Sequence, residues 1–240
     1  MLNVPRAHSV NPKSQILNPE SCLLNPESRL KVAQYFTVHP KNPQRRLIAR
    51  AAKIIRDGGV IAYPTDSCYA FGCHTGDKDA LERLRRLRGF DERHHLTLMC
   101  RDLSELGTYA RVDNASYRLL KALTPGSYTF ILEATRELPR RILHPRRKTI
   151  GLRVPDHLVS QALLTELGEP MLSATAILPG DDQPAMGAQE IRDRVGASLD
   201  LVLDGGPCGI EPTTIIDLTG PQTVVIRKGK GTLAALGSAE

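Results

Sequence analysis

The stretch at residues 58–72, GGVIAYPTDSCYAFG, limits the fold more than any other part of the chain. Residues 60–63 form a short apolar run, which suits a buried strand better than a helix. The run leads directly into Pro64-Thr65-Asp66-Ser67, and residues 69–74 read as a second strand. Proline suits a turn because its φ is preset and it has no amide to offer a sheet. Two hydroxyls and a carboxylate therefore stand at a strand end, where open α/β sheets hold ligands. The same residues also suit an ordinary turn in which Asp66 and Ser67 bond the backbone.

The flanking pattern supplies the other elements. Asn42-Pro43 reads as an N-cap followed by a first-turn proline. Leu47, Ile48, Ala51, Ile54 and Ile55 then recur at helical spacing, and Gly58-Gly59 ends that helix. Asp77, Asp102, Asp113 and Asp156 each precede a helical pattern as candidate caps. Strands are expected at 96–100, 128–134, 149–154, 171–176, 201–203, 214–218 and 223–227, and a further helix at 189–195. Strands and helices mix without a strict βαβ period. The expected fold is a twisted mixed α/β sheet flanked by helices.

Residues 1–31 differ. Asn-Pro units at Asn11-Pro12, Asn18-Pro19 and Asn25-Pro26 repeat every seven residues. The prolines block a continuous helix, so the period is not a coiled-coil heptad. This stretch is expected to be a disordered tail, with residues 32–240 as the domain. We also hypothesise that native translation starts near Val32, because compact patterning begins only at Tyr35-Phe36. N-terminal sequencing of protein expressed from its own gene tests this, and a mature start at Met1 would reject it.

Composition narrows the class. Hydrophobic residues make up 41% of the chain, enough for a packed core, and with no Trp that core is aliphatic. No apolar run is long enough to span a membrane. The five cysteines have no zinc or redox spacing, which fits free thiols in a reducing cytosol. His94-His95 lacks a spaced third ligand, so no metal site is expected. The net charge of +6 favours polyanionic partners, either nucleotide phosphates or RNA. Phosphate-loop, dinucleotide, zinc-protease and nucleophile-elbow motifs are absent.

Two basic clusters stand out. Arg83, Arg85, Arg86 and Arg88 share one helix, which by itself reads as a solvated face, although Arg88 lies near its end and can turn toward a ligand. Arg136, Arg140, Arg141, Arg146, Arg147 and Lys148 precede Arg153, which lies inside a strand. A buried guanidinium needs an anion, supplied either by a ligand or by a protein Asp.

Taken in order, these pieces resemble one family. Residues 58–72 are similar to the YrdC/TsaC signature, G-G-x-x-x-x-P-T-[ED]-[TS]-x-Y-G-L-G. Pro125-Gly126-Ser127-Tyr128-Thr129, Thr149-Ile150-Gly151-Leu152-Arg153-Val154-Pro155-Asp156-His157, Thr213-Thr214-Ile215-Ile216-Asp217 and Arg227-Lys228-Gly229 resemble its later motifs. LTLMCRDLSEL at residues 96–106 points to the YciO branch.

The resemblance implies a YrdC-like fold around a basic concave cavity. It also implies an activity: joining L-threonine, bicarbonate and ATP, with Mg²⁺, into threonylcarbamoyl-adenylate for modification of adenosine 37 in tRNA. Carried over by motif, Thr65 and Ser67 line the threonine or carbamate side, and Arg153 faces the substrate carboxylate. Arg88, Thr97, Thr175 and Arg227 lie toward the nucleotide, while Thr213 and Thr214 complete the threonine side. Arg88 and Arg153 are the expected catalytic cations.

Departures from the family pattern are also visible. The TsaC branch has K-x-R and S-x-N where this chain reads Arg88-Gly89-Phe90 and Thr175-Ala176-Ile177, and Ala70 replaces a glycine. The register Arg86-Leu87-Arg88 would restore two cations. Losing both contacts, at about 1–3 kcal/mol each, lowers a rate by ~10²–10⁴. Two other readings stay open: a tRNA or double-stranded-RNA-binding module, and a nucleotide-binding regulator without turnover.

Overall fold

A computed structural model describes residues 32–89, 96–144 and 146–234. Its strands are β1 (Gln34–Thr37), β2 (Ile61–Tyr63), β3 (Ala70–His74), β4 (Thr97–Met99) and β5 (Tyr128–Glu133). They continue as β6 (Thr149–Arg153), β7 (Met171–Thr175), β8 (Leu201–Asp204), β9 (Thr214–Asp217) and β10 (Val224–Arg227). The helices are α1 (Arg45–Arg56), α2 (Lys78–Arg88), α3 (Leu103–Tyr109), α4 (Asn114–Leu123), α5 (Leu158–Leu167) and α6 (Ala188–Val195).

The strands pair into one ten-stranded sheet, in the order β1-β8-β2-β3-β7-β4-β6-β5-β9-β10. Four pairs are parallel (β1–β8, β2–β8, β4–β6, β5–β9) and the other five antiparallel, so the sheet is mixed as the sequence suggests.

Period-two alternation gives the sheet two different faces. On one face Phe71, Leu98, Phe130, Leu152 and Leu172 pack in a single core with Leu81 and Leu84 of α2, Leu120 of α4 and Ile191 of α6. On the other face Ile61, Tyr63, Leu201, Leu203, Met99 and Met171 pack with Ile48 and Ile55 of α1 and Val159 and Leu163 of α5. That second core ends at β7 and β4. Beyond them the same face carries the lining of a cavity, the candidate functional site.

Helix starts show which local signals decided. Asp77, Asp102 and Asp113 accept amide hydrogen bonds at 2.8, 2.8 and 2.7 Å from Ala80, Glu105 and Ser116. Two expected caps are corrected. α1 begins at Arg45 after Gln44, because Asn42 and Lys41 give their amides to His39 Nδ1 in a tight turn. α5 begins at Leu158 with His157 in the cap position, so Asp156 stands outside the helix.

The described residues belong to one compact unit. None of their helices is long and apolar enough to cross a membrane. The seven-residue repeat, Phe90 and His94-His95 lie outside the described residues.

Candidate functional site

The open half of the face floors a cavity of about 340 Å³. Period two explains its lining. Met171 and Met99 lie under the helices. Two residues along β7 comes Ser173, then Thr175, and two residues back along β4 comes Thr97. Gly151 of β6, Thr129 and Ile131 of β5, and Thr213 and Ile215 at β9 extend the same row. Register places Thr97 opposite both Ser173 and Gly151, so the floor crosses the strands as a band. Gly151 keeps that band low: a β-carbon there would meet Thr97 Oγ1 at 3.3 Å and Thr129 Cγ2 at 3.2 Å.

An arginine stands at each end of the cavity. Arg88, in the last turn of α2, donates from Nη1 to the Ile177 carbonyl at 2.7 Å. Arg227 of β10 donates from Nε and Nη2 to the Thr213 carbonyl at 3.2 and 3.0 Å. Thr213 and Thr129 share a hydrogen bond of 2.9 Å, and Tyr63 and Ser173 one of 2.7 Å. Partial burial lowers the pKa of both guanidiniums. Among the described residues lining the cavity there is no carboxylate. Two cations, a band of hydroxyls and an apolar wall of isoleucines suit a phosphorylated ligand with an apolar portion.

The sequence-predicted residues divide into two groups. Arg88, Thr97, Thr175, Thr213 and Arg227 line this cavity together. Thr65, Ser67 and Arg153 do not; they form a second, buried cluster at the end of β2. There Thr65, rather than Asp66 or Ser67, makes the turn's own bonds, donating to the Cys68 carbonyl at 2.6 Å and accepting from the Ser67 and Cys68 amides. Asp66 instead pairs with Arg153 at 2.6 Å and accepts from Ser127 Oγ at 2.5 Å. The anion that the strand arginine needs within the protein is thus Asp66.

Burial raises the Asp66 carboxyl pKa, but the Arg153 charge and these hydrogen bonds outweigh it, and the net shift is downward. Thr214 is the correction: alternation turns it away from Thr213. Its hydroxyl is fully buried, donating to the Gly231 carbonyl at 2.7 Å and accepting from the Gly229 amide.

The basic helix is mostly consumed internally. Arg83 pairs with Asp200 at 2.6 Å, and Arg85 with Glu82 at 2.9 Å. Arg86 bonds the Glu82 carbonyl and borders a different groove, so it brings no second cation to the cavity. Cys68 and Cys73 are buried thiols raised by desolvation, Cys73 to about 12. Thr129, Ser173 and Gly151 were not singled out from sequence. The signal for Ser173 was its spacing of two from Thr175 on one strand.

An open mixed α/β sheet with a cavity of hydroxyls and two arginines on its bare half defines the architecture, and comparison with known proteins places it. The model of the Sua5/YciO/YrdC family, described as telomere recombination, matches residues 53–229. The chain belongs to this family. It is 54% identical over 200 residues to the uncharacterized protein YciO of Escherichia coli K12, covering 83% of this chain and 97% of that one. The crystal structure of E. coli YciO superposes with a TM-score of 0.82 over 85% of this chain and 98% of that chain. A threonylcarbamoyl-AMP synthase of Halorhodospira halophila is 34% identical over 172 residues, covering 71% of this chain and 89% of that one. P. abyssi Sua5 complexed with L-threonine superposes with a TM-score of 0.75 at 25% identity, covering 81% of this chain and 57% of that chain.

Proposed function

We propose that this chain is a threonylcarbamoyl-adenylate synthase, converting L-threonine, bicarbonate and ATP into threonylcarbamoyl-AMP, pyrophosphate and water. The observation that carries this reading is the cavity: hydroxyls and two arginines, with no carboxylate among its described lining residues. Such a lining suits phosphates, because an acidic side chain would repel them and a hydroxyl or guanidinium donates to them.

In this reading the threonine nitrogen is first carboxylated to a carbamate. A carbamate oxygen attacks the α-phosphorus, and pyrophosphate leaves with the electron pair of the broken P–O bond. Arg88 and Arg227 offset charge on the phosphates, and Thr97, Thr129, Ser173 and Thr175 fix their oxygens, so the chemistry depends mostly on positioning. Arg153, held by Asp66, lies on the threonine side. Mg²⁺ belongs to this scheme as part of the ATP substrate, since it keeps several waters and binds through phosphates. Among the described residues no three His, Cys, Asp or Glu side chains converge to hold it alone.

Turnover is expected to be slow. Ile177 occupies the cavity wall where the resemblance has an amide, and one lost hydrogen bond of about 1–3 kcal/mol lowers a rate by ~10–10². The test is pyrophosphate release that requires ATP, L-threonine and bicarbonate together. Arg88→Ala should lower it at least about tenfold. Release that ignores threonine, or none above background with Mg²⁺ present, rejects the reading.

A further inference from the structure

One residue of the covered half of the sheet reaches across the boundary to the cavity. Tyr63 of β2 is fully buried in the core under α1 and α5, and its hydroxyl shares a hydrogen bond of 2.7 Å with Ser173 Oγ of β7. These two strands are not neighbours, since β3 lies between them. The ring crosses β3 at Gly72. A β-carbon there would meet Tyr63 Cε1 at 2.9 Å, well inside normal carbon contact. Register completes the line: Gly72 stands opposite Ser173, and Ser173 opposite Thr97. The phenol therefore ends against the floor of the cavity, from below.

Hydrogen-bond accounting fixes the direction of this bond. Each hydroxyl carries one hydrogen, so one oxygen donates and the other accepts. Among the described residues the Tyr63 hydroxyl has no partner besides Ser173. If Ser173 donated, the phenolic hydrogen would stay in a fully buried place with no acceptor, and an unmet buried donor is costly. If Tyr63 donates, that hydrogen is satisfied. The Ser173 hydrogen is then unused within the protein, and Ser173 lines the cavity. Burial raises the Tyr63 pKa against a smaller opposing effect of the Ser173 bond, so the phenol keeps its hydrogen at neutral pH. A hydroxyl that accepts one hydrogen bond is also polarised into a better donor of the next.

We propose that Tyr63 is a positioning residue for the cavity floor: it donates to Ser173 Oγ and so turns the Ser173 hydrogen onto a phosphate oxygen of the bound nucleotide. The nucleotide as ligand rests on the synthase reading; the direction of the Tyr63–Ser173 bond does not. A phosphate oxygen only accepts, so a hydroxyl already committed to donating meets it without reorganisation. Tyr63 itself touches no ligand and acts through Ser173.

The experiment is a double-mutant cycle on ATP affinity, measured by calorimetry on the full chain with Mg²⁺. Tyr63→Phe removes only the phenolic oxygen and keeps the ring. It should weaken ATP about three- to tenfold, and Ser173→Ala about tenfold, the range of one hydrogen bond to a charged group. In the double variant the loss should match that of Ser173→Ala alone within about twofold, because Tyr63 has no other route to the ligand. A merely structural Tyr63 would add its own loss on top. Losses that add, or wild-type affinity in Tyr63→Phe or in Ser173→Ala, overturn the proposal even where pyrophosphate release requires threonine. Urea midpoints check that each variant folds. Should Tyr63→Phe not fold, Ser173→Ala decides by itself: unchanged ATP affinity overturns the proposal, and a tenfold loss supports it. Coupled losses in a protein that releases no threonine-dependent pyrophosphate would reject the synthase reading and leave the proposal standing. Wild type that binds no ATP would overturn both.

Discussion

Under α1 and α5 one face of the sheet is filled by Ile61, Tyr63, Leu201 and Leu203, while beyond β7 the same face carries Ser173, Thr97, Gly151 and Thr129. Both halves share one backbone geometry and one side-chain alternation. They differ in what covers them. Where helices exclude water, a hydroxyl without a partner would cost more than it contributes, so the positions are apolar. Where nothing covers the face, the same positions hold small polar groups that hydrogen-bond each other or a ligand. β7 and β4 cross the boundary and change character within two residues, from Met171 to Ser173 and from Met99 to Thr97. The difference teaches that this site is the part of a core face that the fold leaves uncovered.

That comparison can be broken at its boundary first. Asp66→Ala strands the Arg153 guanidinium in a buried position, and we expect it to lower unfolding stability by about 3–5 kcal/mol in urea denaturation. A loss under 1 kcal/mol would show that water already screens the pair. Next, Ile55→Ala removes a fully buried side chain from the covered half. It should cost about 2–5 kcal/mol while the folded fraction keeps wild-type ATP affinity.

Gly151→Val does the reverse on the open half. Overpacking against Thr97 and Thr129 should cost about 1–3 kcal/mol, yet ATP binding, followed by calorimetry, should be lost. Retained affinity would remove the band around Gly151 from the ligand's path. Thr97→Ala is the mildest substitution. Its stability should stay within about 1 kcal/mol of wild type, and ATP affinity should fall about three- to tenfold, the range of one hydrogen bond.

Acid should act on the boundary cluster. Both Asp66 and His157 have pKa values lowered in the folded protein. The unfolded state therefore binds the extra proton first, and folding stability falls as pH falls. The His157 contribution is complete above about pH 6.5 and declines below it; that of Asp66 is complete above about pH 4 and is lost at lower pH. Urea midpoints between pH 7 and pH 4 should fall less steeply for His157→Leu than for wild type.

Much of this was legible because it is local. Asp77, Asp102 and Asp113 cap helices because a carboxylate can reach an amide three residues on, whatever the rest of the chain does. Asn42 and Asp156 carry the same signal and fail, because a neighbouring histidine captured one turn and the chain delayed the other helix until His157. β1 was legible only as the onset of compact patterning at Tyr35-Phe36. Its pairing partner, β8, lies more than 160 residues away, as the Tyr35–Asp204 bond at a separation of 169 residues shows.

The division of site residues was harder to read. Motif order brought Thr65, Ser67 and Arg153 to one neighbourhood, but whether they face a cavity or one another depends on the Asp66–Arg153 bond, which spans 87 residues.

By itself the sequence determined most of the elements, their alternation, the helix starts capped by Asp77, Asp102 and Asp113, and the motifs that carry the family resemblance, since each depends on residues within a few positions of one another. Only the tertiary structure decided which half of the sheet face stayed bare, that Thr213 rather than Thr214 reaches it, and that Arg88 and Arg227 close its two ends. It also decided that Arg153 is held by Asp66 while its Nε is left unmet. Those outcomes depend on strand order and helix placement, which bring distant residues within hydrogen-bonding range, and no local periodicity encodes them.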